Sequence, residues 1–142
     1  MTFDFVQTRG LSKVYGPTRA LTGVDVRFER GSVTAVEGPN GSGKSTLLGL
    51  LSLLSRPSKG EIWFGERLAA RNPSLRAAIG VLAHAPMIYP DLNAQENLRL
   101  SAALYGLPNT EVRVAACVER FNLGSWSERP ARTYSRGQVQ RV

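Results

Sequence analysis

The stretch that most constrains this chain is residues 38–45, Gly-Pro-Asn-Gly-Ser-Gly-Lys-Ser, which fits the pattern G-x-x-x-x-G-K-[ST]. One apolar run, Val33–Val36, precedes the stretch, and another, Thr46–Leu51, follows it. This order predicts a strand, a glycine loop and a helix. Glycines let backbone N–H groups approach an anion closely, and a helix N-terminus adds a positive field. The stretch therefore predicts a site for nucleotide phosphates.

The loop residues have separate predicted tasks. Backbone N–H groups at Gly41 and Gly43 surround phosphate oxygens, Lys44 reaches the β- and γ-phosphates, and the Ser45 hydroxyl ligates Mg²⁺. The alternative is a chance Gly/Ser-rich turn before a buried helix, which the flanking apolar runs disfavour. The predicted nucleotide contacts are Gly38, Pro39, Asn40, Gly41, Ser42, Gly43, Lys44, Ser45 and Thr46.

Composition excludes several protein classes. The 142 residues are 42% hydrophobic and 20% charged, which is typical of a soluble globular domain. The longest apolar stretch, Leu47–Leu54, is far shorter than the ~20 residues of a membrane span. The single cysteine, Cys117, fits a reducing compartment. Although the net charge is +7, basic residues are scattered singly, so we expect no direct nucleic-acid partner.

Hydrophobic patterns predict several elements around the loop. Residues 3–9 are predicted to form a strand that turns at 10–17. Leu21–Glu29 alternates between apolar and polar residues, which is typical of a half-buried antiparallel strand. The helix after the loop is apolar around most of its circumference and is predicted to be buried and to end near Pro57. Further strands are predicted at 60–66 and, of buried type, at 77–83.

The pattern changes from strands to helices after residue 84. Asn93 and Glu96 have the spacing of a capping box, so a helix is predicted to start there and to end near Tyr105. A second helix, with one apolar face, is predicted to start at about Thr110 and to end before Gly124. These elements predict a helical subdomain.

Three motifs, together with their order along the chain, resemble those of the nucleotide-binding domain of ABC transporters. Tyr15 lies upstream of the loop where that family places an aromatic residue that stacks on adenine. Residues 79–84 resemble the strand that leads to the family's glutamine loop, and residues 134–138, Tyr-Ser-Arg-Gly-Gln, resemble its signature, L-S-G-G-Q. The resemblance covers nearly all of the chain.

The resemblance implies an α/β fold with a P-loop NTPase core of ABC ATPase type, an antiparallel β subdomain and a helical subdomain. Residues 1–84 would hold the β subdomain and part of the ATP-binding core, and 85–142 the helical subdomain with the signature. The implied cofactors are ATP and Mg²⁺. Signature residues Ser135, Gly137 and Gln138 would contact the ATP of a second nucleotide-binding domain. The other implied partner is a transmembrane permease subunit, at the cytoplasmic face of the membrane.

The chain departs from the family pattern in two ways. His84 stands where the glutamine is usual, and we predict that it serves the catalytic site there. Together with the residues that follow, His84 resembles the ATP-binding subunit of the haem exporter of cytochrome c biogenesis. The resemblance also stops ahead of the family's acidic Walker B strand and catalytic glutamate. We therefore expect the 142 residues to bind ATP without hydrolysing it, and the complete protein to hydrolyse it during transport.

Alternatives remain at each level. Tyr15 could be a turn aromatic that packs on the sheet, His84 a surface loop residue, and Ser135 only a helix N-cap. The function could be that of a soluble ABC-type ATPase acting on ribosomes or nucleic acid. It could also be that of a non-catalytic nucleotide-binding fragment.

Overall fold

A computed structural model describes residues 2–82 and 87–142 of the chain. The chain divides into two compact units, Met1–Val81 and Leu82–Val142. The predicted boundary between residues 84 and 85 falls between the described ranges, so it stays a prediction.

The first unit contains an antiparallel sheet with the strand order β2-β1-β3-β4. Along β2, Val24, Val26 and Phe28 are half-buried while the residues between them are exposed, which confirms the predicted alternation. The strand predicted at 60–66 is confirmed by β3 and the turn after it. The strands are β1 Phe5–Tyr15, β2 Thr18–Glu29, β3 Lys59–Phe64 and β4 Arg67–Leu68.

The β1–β2 hairpin is longer than predicted. The turn predicted at 10–17 is wrong over its first part, because β1 continues through Gly10 to Tyr15 and only Gly16 and Pro17 form the turn. A register shift between Thr8 and Leu11 marks a bulge, which absorbs the glycine without ending the strand. A Cβ added to Gly60 would lie 2.4 Å from the Gly10 carbonyl oxygen, so β3 approaches the bulge closely.

Helix α1, Lys44–Leu51, packs its inner side on the sheet. The core of this unit consists of Leu11, Leu50, Ile62, Phe64 and Leu75. The helix ends before the predicted position at Pro57, because Leu53 takes a left-handed conformation with φ of 58°. The prediction that α1 is buried is wrong on its outer side, where Leu48 is 55% exposed.

Two predicted strands do not form. Residues 33–36 have no regular structure, and Val33 is fully exposed. In the region predicted as a strand at 77–83, a 3-10 helix, Pro73–Ala78, is followed by irregular backbone over 79–82. A strand requires a neighbour for its backbone groups. In residues 2–82 and 87–142 the strands β1–β4 make up the only sheet, and neither run pairs with it.

The second unit is helical, as predicted. Its helices are α2 Ala94–Leu104, α3 Thr110–Arg120 and the short α4 Arg136–Val139. The capping box of α2 is confirmed, because the Glu96 N–H donates to Asn93 Oδ1 at 2.9 Å and the Asn93 N–H donates to Glu96 Oε2 at 2.7 Å.

An ion pair joins α2 to α3. The Arg99 guanidinium donates to both carboxylate oxygens of Glu111, from Nε at 2.8 Å and from Nη2 at 3.0 Å. This hydrogen bonding lowers the pKa of the Glu111 carboxyl and raises that of Arg99. The two-point geometry gives the pair a fixed orientation.

Glu111→Gln should lower stability slightly at neutral pH and leave it unchanged at low pH. Because the pKa of Glu111 is lowered by folding, its contribution is complete above the pKa in the unfolded chain. The contribution is lost as pH falls through the lowered pKa of the folded state. Both side chains are exposed, so the effect is small and decreases with salt. Thermal unfolding of both proteins across the acidic range tests this, and a pH-independent difference in Tm would contradict it.

Candidate functional site

The glycine loop leads directly into the N-terminus of α1. Gly43 is the N-cap residue, with a left-handed φ of 92°, and it provides no side-chain hydrogen bond to the helix. The first turn of α1 contains no acidic residue. The first N–H groups of a helix have no partner within the helix and carry its positive end. The loop therefore presents N–H donors without a local negative charge, which suits an anion.

Gly43 also fits closely against the sheet. A Cβ added there would lie 2.5 Å from the Ala20 carbonyl oxygen and 2.8 Å from Leu21 Cδ2. Only glycine satisfies both this close contact and the positive φ. The contact with β2 fixes the loop beside the β1–β2 hairpin.

Lys44 folds back across the loop. Its ammonium nitrogen donates to the carbonyl oxygens of Gly38 at 2.7 Å and Pro39 at 2.8 Å. Within the described ranges it has no carboxylate partner. A cation held by neutral carbonyls remains available to phosphate oxygens, which form stronger charge-assisted hydrogen bonds.

Ser45 and Thr46 lie in the first turn of α1, after the lysine. Ser45 is exposed, and among the described residues its hydroxyl makes no hydrogen bond. The described ranges also hold no cluster of three or more histidine, cysteine or acidic side chains that could enclose a metal. These residues fit a Mg²⁺ that takes one hydroxyl ligand from the protein and the rest from phosphate and water.

Tyr15 lies at the end of β1, opposite Thr18. It is 50% exposed, and the Lys13 ammonium nitrogen lies 4.9 Å from its ring centroid. The loop touches β2 at Ala20, two residues beyond Thr18 in the same hairpin. The structure thus places an exposed aromatic ring on the strand pair that supports the phosphate loop.

The signature residues lie in the second unit, at the start of α4. Ser135 Oγ accepts from the Gln138 N–H at 3.3 Å, and the Ser135 N–H donates to Gln138 Oε1 at 2.9 Å. Ser135 is therefore an N-cap residue, one of the interpretations that the sequence left open. Gly137 is exposed. The Ser135 hydroxyl still has its own proton to donate, so capping does not exclude a phosphate contact.

The model of the ABC transporter family matches residues 21–142, from β2 through the phosphate loop to the signature. The chain belongs to this family. The cytochrome c biogenesis ATP-binding export protein CcmA of Cupriavidus pinatubonensis is 39% identical over 128 residues, 89% of this chain and 57% of that protein. The daunorubicin resistance ATP-binding protein DrrA3 of Streptomyces coeruleorubidus is 37% identical, over 94% of this chain and 43% of that protein.

Solved structures agree with this assignment. An ATP-binding subunit of an ABC transporter superimposes with a TM-score of 0.81 at 28% identity, over 96% of this chain and 58% of that one. The ATP-binding cassette MJ0796, described as dimeric in a post-hydrolysis state with ADP and Pi, gives 0.79 at 25% identity, over 96% and 66%. The fold is therefore the α/β fold of ABC ATPase domains.

The chain spans only part of its relatives' length, from 57% to 65% of the CcmA proteins of Cupriavidus pinatubonensis and Cupriavidus metallidurans. No helix in the described ranges has the length and apolar character of a membrane span.

Tyr134, the first residue of the signature, was not predicted to have a role. Its hydroxyl accepts from the Ala94 N–H at 3.0 Å and lies 2.9 Å from the Ser127 carbonyl oxygen and 2.8 Å from that of Arg129. Its ring packs edge-on against Trp126, with centroids 5.0 Å apart. Burial raises the pKa of Tyr134, which keeps the hydroxyl proton available for donation.

The role of Asn97 in holding the loop before α2 was also not predicted. Its side chain is 4% exposed; Oδ1 accepts from the Tyr89 N–H at 2.7 Å, and Nδ2 lies within 3.2 Å of three backbone carbonyl oxygens. The acceptors belong to Tyr89, Leu92 and Asn93. An asparagine on the inner face of a predicted amphipathic helix was the available signal. His84, the predicted catalytic residue, lies outside the described residues, and its role stays a prediction.

Proposed function

We propose that this chain binds Mg·ATP at residues 38–46 as part of the ATPase subunit of an ABC transporter. The observation that supports this most directly is the phosphate loop. It combines the free N–H groups at the start of α1, a Lys44 ammonium that meets no carboxylate among residues 2–82 and 87–142, and a first helical turn without acidic residues. A chance glycine-rich turn would not require all three features.

Each part of the loop has one task when ATP binds. The N–H groups at Gly41, Gly43 and the start of α1 hold phosphate oxygens. Lys44 exchanges its carbonyl partners for the β- and γ-phosphates, and Ser45 ligates Mg²⁺. Bound Mg²⁺ neutralises charge on the phosphates during hydrolysis. The residues present therefore supply binding and charge neutralisation.

The signature is proposed to act on the ATP of a second subunit. The dimeric MJ0796 cassette with ADP and Pi supports a paired arrangement for chains of this fold. The Ser135 hydroxyl and the exposed Gly137 backbone are available at the surface of the second unit. ATP would then bind between the loop of one subunit and the signature of the other.

The whole protein is proposed to power export across a membrane with a transmembrane permease, at the cytoplasmic face. CcmA proteins of Cupriavidus, Nitrosospira and Methylococcus are named cytochrome c biogenesis ATP-binding export proteins. This supports the narrower proposal of haem or cytochrome c biogenesis export, which the residues around His84 also suggest. Expression with the permease genes of its own genomic neighbourhood, followed by co-purification, tests the partner. Failure to co-purify with any of them would contradict the transport proposal.

The shared ATP site is tested by mixing two defective subunits. The experiment uses a chimera in which the remainder of the Cupriavidus pinatubonensis relative follows Val142, with a substitution that blocks hydrolysis. Lys44→Ala and Ser135→Arg should each prevent ATP-dependent dimerisation. Their mixture should restore it, because one composite site of each heterodimer keeps both intact parts. A size-exclusion profile in which the mixture stays monomeric while either single variant dimerises with ATP would refute the shared site.

Tyr15 is proposed to stack on the purine ring. Tyr15→Ala should weaken ATP and GTP binding alike, by about 1–3 kcal/mol, because stacking on an aromatic ring tolerates either base. Tyr15→Phe should bind normally, since the ring remains. Fluorescent-nucleotide competition measures both variants. An equal loss of affinity for tripolyphosphate, which has no base, would show that Tyr15 only supports the hairpin.

A further inference from the structure

We propose that Tyr134 is the positioning residue of the signature, and that its hydroxyl holds Ser135 at a fixed place relative to the start of α2. This inference rests on the proposed function, in which Ser135 contacts the ATP of a second subunit. It concerns a residue that does not itself touch the nucleotide and acts only through its neighbour.

The hydroxyl of Tyr134 joins three separate segments. It accepts a hydrogen bond from the N–H of Ala94. Ala94 is the first helical residue of α2 and lies 40 positions away from Tyr134 in sequence. It also lies within hydrogen-bond distance of the carbonyls of Ser127 and Arg129, at 2.9 and 2.8 Å. A phenol carries one proton, so it donates to one carbonyl at a time and accepts from Ala94 in both cases.

The bond to Ala94 adds to the capping of α2. Asn93 already accepts from Glu96, one of the N–H groups that a helix leaves without a partner at its start. Tyr134 satisfies the Ala94 N–H from outside the helix. The start of α2 is therefore bonded to the residue immediately before the signature serine.

Other contacts join the same two segments of the chain. The Ala131 N–H donates to the Leu92 carbonyl at 2.9 Å, and the Arg132 N–H donates to that of Pro90 at 2.8 Å. Arg132 also forms an ion pair with Asp91. Backbone hydrogen bonds continue as far as Tyr134, whose own N–H donates to the Ala131 carbonyl at 3.0 Å. The Tyr134 hydroxyl adds the direct bond from the residue before Ser135 to the start of α2. Removing it should leave the segment docked and free only the signature.

The first test measures amide exchange by NMR in the 142-residue chain. Tyr134→Phe keeps the ring packed on Trp126 and removes only the hydroxyl. Exchange should accelerate roughly threefold to tenfold at Ala94, which loses a hydrogen bond, and also at Gln138, whose N–H is held by Ser135. Faster exchange at Ala94 with an unchanged rate at Gln138 would overturn the proposal, since Tyr134 would then only cap α2.

Tyr105→Phe is the matched control, because it removes the same hydroxyl from a ring that is 63% exposed at the end of α2. It should leave the exchange of both amides unchanged. An effect at Gln138 equal to that of Tyr134→Phe would show a general loss of stability and would overturn the positioning role.

The second test is a double-mutant cycle on ATP-dependent dimerisation in the chimera. Tyr134→Phe should weaken the dimer roughly threefold to tenfold when Ser135 is present and have no further effect in a Ser135→Ala background. Equal effects in both backgrounds would overturn the proposal. If Ser135→Ala alone has no effect, the proposed function of the signature fails instead, and the exchange at Gln138 still decides whether Tyr134 holds it.

Discussion

Lys44→Ala should weaken Mg·ATP binding by the 142-residue chain at least roughly 100-fold, from the loss of charge-assisted hydrogen bonds of about 1.5–3 kcal/mol each. The Lys44 ammonium is bound to the carbonyls of Gly38 and Pro39 at 2.7 and 2.8 Å, at the mouth of the loop. Phosphate oxygens would replace these carbonyls. Without the ammonium, only the N–H groups of the loop and the Mg²⁺ would balance the triphosphate charge.

Titration with a fluorescent nucleotide measures this affinity. Lys59→Ala is the matched control, because it removes the same charge from an exposed position at the start of β3. An unchanged affinity in Lys44→Ala would contradict the phosphate site. The wild-type chain should also show no steady hydrolysis. Turnover that Lys44→Ala abolishes would refute our expectation that the general base lies outside these residues.

Features that depend on neighbouring residues in sequence could be predicted well. Short spacings in sequence indicate the capping box at Asn93 and Glu96, the end of α2 near Tyr105 and the N-cap at Ser135. The structure contains each of these features. The same holds for β2, whose alternating pattern requires only that one face be covered. Local chemistry was sufficient in these places.

Features that depend on a distant partner could not be predicted. The apolar runs at 33–36 and 79–82 have the composition of buried strands, but a strand forms only beside another strand. Composition does not show whether a neighbour is available. The bulge at Gly10 was missed for a related reason, since a glycine in a strand pattern fits either a turn or a bulge.

The candidate site was predicted unevenly on the same grounds. Residues of the loop are contiguous, so a motif specifies them. Tyr134 and Ala94 are 40 positions apart, and only the folded chain brings the hydroxyl to that N–H. Asn97 presents the same difficulty, because Tyr89, whose N–H it binds, lies in a loop without a recognisable pattern.

Asn97→Leu should reduce the free energy of unfolding of the helical unit by roughly 2 kcal/mol, since the Tyr89 N–H loses its acceptor and three carbonyls each lose one of their donors. Leucine has a similar volume, so packing is largely kept. The Tyr89 N–H would lose the acceptor that lies 2.7 Å away, and three carbonyls would lose their shared donor. The loop that precedes α2 should consequently come loose from the helix.

Trp126 lies in this unit and Trp63 in the other, so a Trp63→Phe background makes tryptophan fluorescence report on the helical unit alone. Urea unfolding followed by this signal compares Asn97→Leu with Gln95→Ala. The Gln95 side chain is an amide on the same helix, and its oxygen accepts one hydrogen bond from Arg99. Gln95→Ala should cost less than about 1 kcal/mol. A similarly small cost for Asn97→Leu would mean that water replaces the lost partners and that Asn97 does not fix the loop. A large cost for Asn97→Leu alone would establish that this one amide attaches residues 89–93 to the helical unit, the segment on which Ala131 and Arg132 dock ahead of the signature.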